Sequence, residues 1–193
     1  MANVDKAFGL RPYKGLNVGS AVQEANKYNI NPSGYGTSIF QGDLVIFNGG
    51  YIERAAASSA NIVGVFSHCY YVNTSGEPTF SNYYPASTTA LGGGAIDCYI
   101  YDDPNQMFVV QADGASAVTC IGRNADTDGI GGSTTTGVST RELDSSTIAT
   151  TQGLQLKIVG VVQDDTNGDL TANNANLVVI INEHAYRGPV AGT

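Results

Sequence analysis

Charge is what this sequence has least of. Charged residues make up 13% of the 193-residue chain, about half of the roughly 25% that is usual in soluble domains. Ser, Thr, Asn and 24 glycines stand in their place. Helix surfaces favour Glu, Lys, Arg and Gln, whereas strand and turn surfaces favour Thr, Ser, Asn and Gly. The composition therefore predicts a β-rich chain.

Cations are scarcer still, because 9 Lys and Arg stand against 17 Asp and Glu, giving a net charge of −8 and a pI near 4.4. Nucleic-acid binding needs clustered Lys and Arg to neutralise phosphates, so we expect no nucleic-acid partner. Four of the nine cations lie near the amino terminus: Lys6, Arg11, Lys14 and Lys27. This cluster is either an ordinary solvated terminus or a basic arm that docks on an acidic partner surface.

Long apolar runs and paired cysteines are also missing. The first 20 residues contain no apolar core of a secretory signal, and the chain has no 18-residue apolar run. We therefore expect neither a signal peptide nor a membrane partner. Cys69, Cys98 and Cys120 are widely spaced and form no CxxC pair. This pattern predicts buried, reduced thiols in a protein made in a cytoplasm.

The residues that carry chemistry form no complete motif. His68 and His184 are the only histidines, and neither has a second metal ligand or an orienting group at a useful spacing. Residues 164–169 (DDTNGD) and 126–129 (DTDG) suggest calcium loops but lack the bidentate glutamate, and Asx-turns explain both. The three glycines at 92–94 lack the Lys-Ser/Thr of a phosphate loop. We expect no enzyme, no metal and no cofactor.

The amino-terminal segment, residues 2 to about 30, has no sustained helical or alternating pattern, yet its apolar residues are too many for a free tail. Such a segment either lies in a groove of another surface, ordering only on binding, or forms a strand packed on its own domain. We expect the first, with residues 1–30 as an extended docking arm and residues 31–193 as a β-rich globular domain. The expected partner-binding residues combine charge and aromatic surface: Phe8, Arg11, Tyr13 and Lys14.

The remainder of the chain reads as about eight short strands separated by turn residues, which is typical of a β-barrel or β-sandwich. The clearest are a hairpin of 43–47 with 51–54, a strand from 62 to 72, and strands at 95–101, 107–111, 154–162 and 177–182. The last is almost wholly apolar, which predicts a central position buried on both faces. We expect an all-β, jelly-roll-like single domain with at most one or two short helices, one of them over 115–121 capped by Asp113.

Two further local predictions concern loops and aromatic pairs. Residues 129–140 are rich in Gly, Ser and Thr and lack an apolar anchor, which predicts an exposed, mobile loop. Tyr70-Tyr71 and Tyr83-Tyr84 place adjacent rings on opposite faces of extended chain. One ring of each pair can therefore face outward, either as an interface anchor or as packing at the rim of the same domain.

Four blocks of the sequence resemble a family of tailed-bacteriophage virion proteins. They are MANVDKAFGLRP at residues 1–12, TTTGVS at 134–139 running into ELDSST at 142–147, LQLKIVG at 154–160, and NEHAYR at 182–187. They lie in the same order as in the family and span nearly the whole chain. None of the blocks is catalytic.

The resemblance implies a capsid decoration, or cement, protein encoded near the major capsid protein. Such proteins sit as small oligomers on the outside of an expanded head and bridge its capsomers. The implied partners are the major capsid protein and copies of the chain itself, as a homotrimer or alternatively a dimer. The implied location is the capsid exterior of the virion, after synthesis in the host bacterial cytoplasm.

Two other classes of function remain open. A receptor- or carbohydrate-binding module of the virion would also be β-rich and expose tyrosines, and it predicts a ring-lined pocket with convergent polar groups. A small hydrolase would require His68 or His184 beside a nucleophile.

Overall fold

The computed structural model describes residues 3–16, 22, 24–162 and 166–187. Its strands, in chain order, are β1 (Arg11–Gly15), β2 (Asn26–Ile30), β3 (Ile39–Phe40), β4 (Leu44–Asn48), β5 (Tyr51–Arg54), β6 (Ile62–Val72), β7 (Pro78–Ser81), β8 (Tyr83–Tyr84), β9 (Ile96–Tyr101), β10 (Gln106–Gln111), β11 (Asn124–Ala125), β12 (Thr127–Asp128), β13 (Glu142–Leu143), β14 (Leu156–Val161) and β15 (Asn176–Ile181). The helical segments within the described residues are three short 3-10 turns, Leu91–Gly93, Val118–Cys120 and Ser145–Thr147.

The strands form two main antiparallel sheets. Sheet A has the order β1-β10-β15-β14-β11, and sheet B has the order β2-β9-β6-β4-β5, with β7 added beside the second half of β6. Two small pairs, β3 with β8 and β12 with β13, complete the fold. The expectation of an all-β fold is confirmed, and of the two expected architectures the sheets form a sandwich.

The core between the sheets comes from alternate residues of their strands. Phe108 of β10, Ile158 of β14 and Val179 of β15 face Leu44 and Val65 of sheet B in one buried cluster. The opposite face of sheet B encloses a second core, to which the edge strands β2 and β5 contribute as well. Sheet B is therefore buried on both faces over much of its area, which explains the nearly continuous apolar sequence at the start of β6.

The sequence predicted several strands correctly. The β4–β5 hairpin pairs as expected across its Asn-Gly-Gly turn, and β6 runs from residue 62 to 72. β15 lies between β10 and β14, and all of its residues after Asn176 are buried. The central position that its apolar run predicted is confirmed.

The expected short helix is wrong. Within residues 115–121 the structure forms only the 3-10 turn Val118–Cys120, whose flanking residue Ala117 provides no side-chain cap. The Asp113 carboxylate instead accepts a hydrogen bond from the backbone N–H of Ser145, at 2.9 Å. The Asp113 carboxylate, which was expected to cap a helix, therefore makes a long-range hydrogen bond instead.

The amino-terminal segment is not a separate arm over its described part. β1 pairs with β10 as the edge strand of sheet A, and β2 pairs with β9 in sheet B. Leu10, only 1% exposed, is buried in the core between the sheets. Pairing therefore crosses the expected boundary at residue 30, and the alternative interpretation, a strand packed on its own domain, describes these residues.

A close backbone crossing brings this segment into the sandwich. The Leu10 N–H donates to the Gly42 carbonyl at 2.9 Å. A Cβ atom at Gly9 would lie 2.8 Å from the same carbonyl oxygen, and Gly9 has a φ of +68°. Only glycine combines this left-handed conformation with so close an approach.

Residues 129–140 are tied down at both ends, contrary to the expectation of an unanchored loop. Ser139 is fully buried, and its N–H donates to the Gln41 carbonyl at 2.9 Å. Gly132 lies against the ring of Phe40. The exposed residues of the segment are Ile130, Thr140 and the tip at 134–136.

Candidate interaction surface

The four expected partner-binding residues lie together at the β1 edge of sheet A. Arg11 and Lys14 are opposite Val109 and Met107 of β10 and share their side of the sheet, the face turned away from the core. A register shift between Pro12 and Lys14 inserts Tyr13 as a β-bulge. The bulge brings Tyr13 to this outer face as well, where its ring and Lys14 line a shallow cleft with Met107.

The four side chains form two cation–aromatic pairs. The Arg11 guanidinium lies 4.2 Å from the centroid of the Phe8 ring, and the Lys14 Nζ lies 5.3 Å from that of Tyr13. Such pairs are worth about 0.5–1 kcal/mol at exposed sites. Arg11 is exposed and Tyr13 is 43% exposed, so the pairs present charge and ring surface to solvent.

The centre of this outer face is apolar. Met107, Val178 and Ile180 form a small cluster there, packed against three flanking valines (Val109, Val159 and Val162). Tyr13 and Leu16, at 43% and 47% exposure, carry apolar surface beyond the cluster to its rim. Met107, Val178 and Ile180 are themselves only 6–7% exposed, so the accessible apolar area is mainly that of Tyr13 and Leu16. Aromatic side chains and arginine are enriched at protein–protein interfaces.

The charges of sheet A are of one sign. Its five strands carry Arg11, Lys14 and Lys157 and contain no Asp or Glu, although the chain has 17 acidic residues. Lys157 points to the same outer face and donates to Asn124 Oδ1 at 3.2 Å. We call this surface, with its cations, Tyr13, Leu16 and apolar cluster, the outer face of sheet A.

Neither histidine is arranged as a catalytic base with an accessible nucleophile. Ser67 Oγ lies 3.1 Å from His68 Nδ1, but Ser67 is only 6% exposed. The His68 ring stacks on Tyr99 with centroids 4.4 Å apart. His184 is fully buried; its Nδ1 accepts the Tyr186 N–H at 3.1 Å, and burial lowers its pKa to about 4.

The acidic loops make local turns. The Asp169 carboxylate accepts hydrogen bonds from the N–H and hydroxyl of Thr171, as in an Asx-turn. Asp128 accepts instead from the N–H of the next residue, Gly129. Residues 164 and 165 of the first loop lie outside the described residues. Across the described ranges, no group of three or more His, Cys, Asp or Glu side chains is placed to hold a metal ion.

The blocks that carry the family resemblance supply buried polar contacts. Ser139, in the second block, donates to Asp43 Oδ1 at 2.6 Å, and Asp43 faces the fully buried Arg141, whose Nε is 3.8 Å away. Gln155, in the third block, accepts from Thr127 Oγ1 at 2.7 Å, and Thr127 in turn accepts from Arg141 Nη1 at 2.6 Å. These residues join the sheets through one hydrogen-bonded network.

The NEHAYR block forms a latch after the last strand. Asn182 Nδ2 donates to the carbonyls of Gln152 and Leu154, at 2.6 and 2.9 Å. His184 forms a parallel bridge with Ile62 at the start of β6. Arg187 donates to Pro104 O and, at 3.0 Å, to Asn105 Oδ1, so the block fastens the end of the described chain to both sheets.

A second exposed surface was missed at the sequence level. The second half of β6 and its neighbours β7 and β9 present four rings, His68, Tyr70, Phe80 and Tyr99, on one side of sheet B. The sequence singled out Tyr70 as a possible outward ring and His68 as a candidate base, but not Phe80 or Tyr99, because only the pairing of the three strands brings the four rings together. The alternation of β9 (IDCYIY) is the sequence signal that places Tyr99 on the side of the strand opposite Ile96, Cys98 and Ile100.

Comparison of the chain with protein-family models, curated proteins and solved structures finds no match in any of the three. The phage resemblance therefore stays a prediction. Among the described residues, no helix is long and apolar enough to cross a membrane.

Proposed function

We propose that this chain is a non-catalytic structural protein of a tailed-phage virion. In this role it binds the outside of the assembled capsid shell as a small oligomer and stabilises it. The observation that carries the proposal is the outer face of sheet A, which is apolar at its centre and bears cations without acids on a chain of net charge −8. The resemblance of four sequence blocks to virion proteins identifies the shell, built of the major capsid protein, as the partner.

The mechanism is mass action. A protein that binds the assembled shell but not its dissociated subunits raises the free energy of shell disruption. Many copies bound to one lattice, each holding more than one subunit, gain strength through multivalency even when each contact is weak. The acidic remainder of the chain stays turned to solvent, away from packaged DNA.

Charge reversal on the outer face of sheet A tests this role. Arg11→Glu and Lys14→Glu each exchange a cation for an anion in the cation–aromatic pairs, and Tyr13→Ser removes the most exposed ring of the face. The measurement is co-sedimentation with shells assembled from the major capsid protein encoded near this chain. We expect each charge reversal to weaken binding about tenfold or more, and wild-type binding to fall with added salt.

Arg123→Glu is the matched control, because it makes the same charge change at an exposed arginine outside the strands of sheet A. It should bind shells as the wild type does, and thermal unfolding should confirm that all variants fold. Equal binding by Arg11→Glu and Arg123→Glu would sink the proposed docking face. No binding by the wild type would sink the decoration role itself.

A further inference from the structure

Sheet B extends beyond sheet A and leaves part of its core-facing side uncovered. Tyr101, at the end of β9, still packs against the core between the sheets. Tyr99 and Asp97, on the same side of the same strand, are only half-buried. Their neighbours across the sheet continue this flat surface: His68 and Tyr70 on β6, Phe80 on β7, and Lys27 and Asn29 on β2. We call these seven residues the aromatic platform.

Three of the four platform rings contact one another. His68 stacks on Tyr99 with an interplanar angle of 17° and lies 4.7 Å from the Phe80 ring. Phe80 nevertheless remains 68% exposed and Tyr70 39% exposed. Rings that are already held in place lose little conformational entropy on binding. Phenylalanine has no polar group, so removing its exposed ring from water is favourable. The platform therefore has the properties of a binding surface.

The charges of the platform suit a partner identical to itself. Lys27 Nζ lies 2.7 Å from Asp97 Oδ2, and Asn29 Nδ2 donates to Asp97 Oδ1 at 3.0 Å. Lys27 and Asp97 are the only charged residues on β2, β6, β7 and β9. The platform is therefore neutral, although the chain has a net charge of −8. Two like-charged copies meet there with little repulsion, whereas a strongly acidic or basic partner finds no opposite field.

We infer that two copies of this chain pair through their aromatic platforms about a two-fold axis. In such an isologous contact the same patch serves both copies, so Lys27 of each copy can face Asp97 of the other while the exposed rings bury one another. A single contact of this kind closes as a dimer. The inference rests on the oligomer of the proposed function, and between trimer and dimer it selects the dimer.

The test uses the isolated full-length chain without shells, so its result does not depend on the shell-binding role. Sedimentation equilibrium over a range of concentrations should give a dimer for the wild type. The double variant Tyr70→Ser, Phe80→Ser should raise the dimer dissociation constant at least about tenfold, as loss of central aromatic anchors does. Tyr51→Ser, at an exposed tyrosine on β5, is the matched control and should remain dimeric.

A charge exchange tests the two-fold geometry. Lys27→Asp and Asp97→Lys should each be mainly monomeric, because each places like charges across the axis. Mixed in equal amounts, the two variants should form a heterodimer, because every charge then faces its opposite. If the substitutions acted only by breaking the Lys27–Asp97 contact within each copy, mixing would not restore the dimer.

Four results would overturn the inference: a monomeric wild type, a trimer, a dimer unaffected by the Tyr70 and Phe80 substitutions, or no recovery on mixing. Binding of a neutral polysaccharide to a monomeric wild type, abolished by the same two substitutions, would assign the platform to a glycan instead. Shell binding by the wild type that is weakened by charge reversal on the outer face of sheet A would leave the proposed function standing in each of these cases.

Discussion

Arg141 is the residue on which the polar network of the core depends. It is the largest fully buried side chain of the described residues, and burial lowers its pKa although Asp43 acts in the opposite direction. Sequence reasoning could not select it, because arginine is almost never fully buried unless it is paired, and its partners lie 14 to 98 positions away along the chain.

Arg141→Ala should lower the free energy of unfolding by about 3–5 kcal/mol, because it leaves the Asp43 carboxylate buried without its counter-charge. Urea unfolding monitored by circular dichroism measures this change. Arg123→Ala, at an exposed arginine, should change stability by no more than about 0.5 kcal/mol. A similar small effect at Arg141 would show that the network contributes little.

Two titrating residues oppose each other between pH 4 and 7. Burial, followed by the nearby Arg187, lowers the pKa of His184 to about 4, so its contribution to stability is present above the ordinary histidine value and is lost as the pH falls towards 4. Burial, followed by Asp5, Asp113 and Asp128, raises the pKa of Glu142 to about 7. Its contribution is present below the ordinary glutamate value and is lost as the pH rises through 7.

Single substitutions should separate these two effects. In Glu142→Gln the free energy of unfolding should rise more steeply with pH between 4 and 6.5 than in the wild type. In His184→Asn, whose amide oxygen can still accept the Tyr186 N–H, it should fall between pH 4.5 and 7. Unfolding titrations at half-unit pH steps measure both slopes, and parallel curves for the two variants would contradict the assignment.

At the scale of elements, local sequence patterns predicted the strands and turns that depend on residues close together in the chain. The β4–β5 hairpin and the apolar β15 follow from turn chemistry and from hydrophobicity alone. The sequence predicted β1 only as the alternative interpretation of the amino-terminal segment, for two physical reasons. Its partner β10 lies about 95 residues further along the chain, and the bulge at Tyr13 breaks the alternation by which a strand is recognised.

The same distinction applies to the two surfaces. Phe8, Arg11, Tyr13 and Lys14 are close in sequence, so their combination of charge and ring was visible before the fold was known. The aromatic platform draws on β2, β6, β7 and β9, and only strand pairing brings those residues together. Each ring of the platform is visible in the sequence, but their arrangement on one surface could not be predicted from it.

Within the latch formed by the NEHAYR block, Asn182 fastens the chain that follows β15. Asn182→Ala should lower the free energy of unfolding by about 1–3 kcal/mol, because the carbonyls of Gln152 and Leu154 lose a shared donor. Asn82→Ala, which removes one hydrogen bond to the exposed Thr136 carbonyl, serves as its comparison and should cost less. Thermal unfolding of both variants measures the difference, and an equal cost would argue against the latch.

Over the whole molecule, polarity separates two uses of the surface. The outer face of sheet A concentrates cations and apolar side chains, the aromatic platform is neutral because its one acid, Asp97, pairs with Lys27, and the other described acidic residues lie outside both surfaces. On the proposed arrangement, sheet A holds the shell and the platform holds a second copy, so that each dimer brings two shell-binding faces. Bivalent attachment of this kind suits a protein that bridges neighbouring subunits of a lattice.

The most direct test of the decoration role is an electron-microscopy map of the virion in which this chain is made. We expect density for the sandwich on the outside of the head, with the outer face of sheet A turned to the shell and Tyr13 within the contact. Density only in the tail, or a head-bound sandwich with sheet A turned to solvent, would contradict the account.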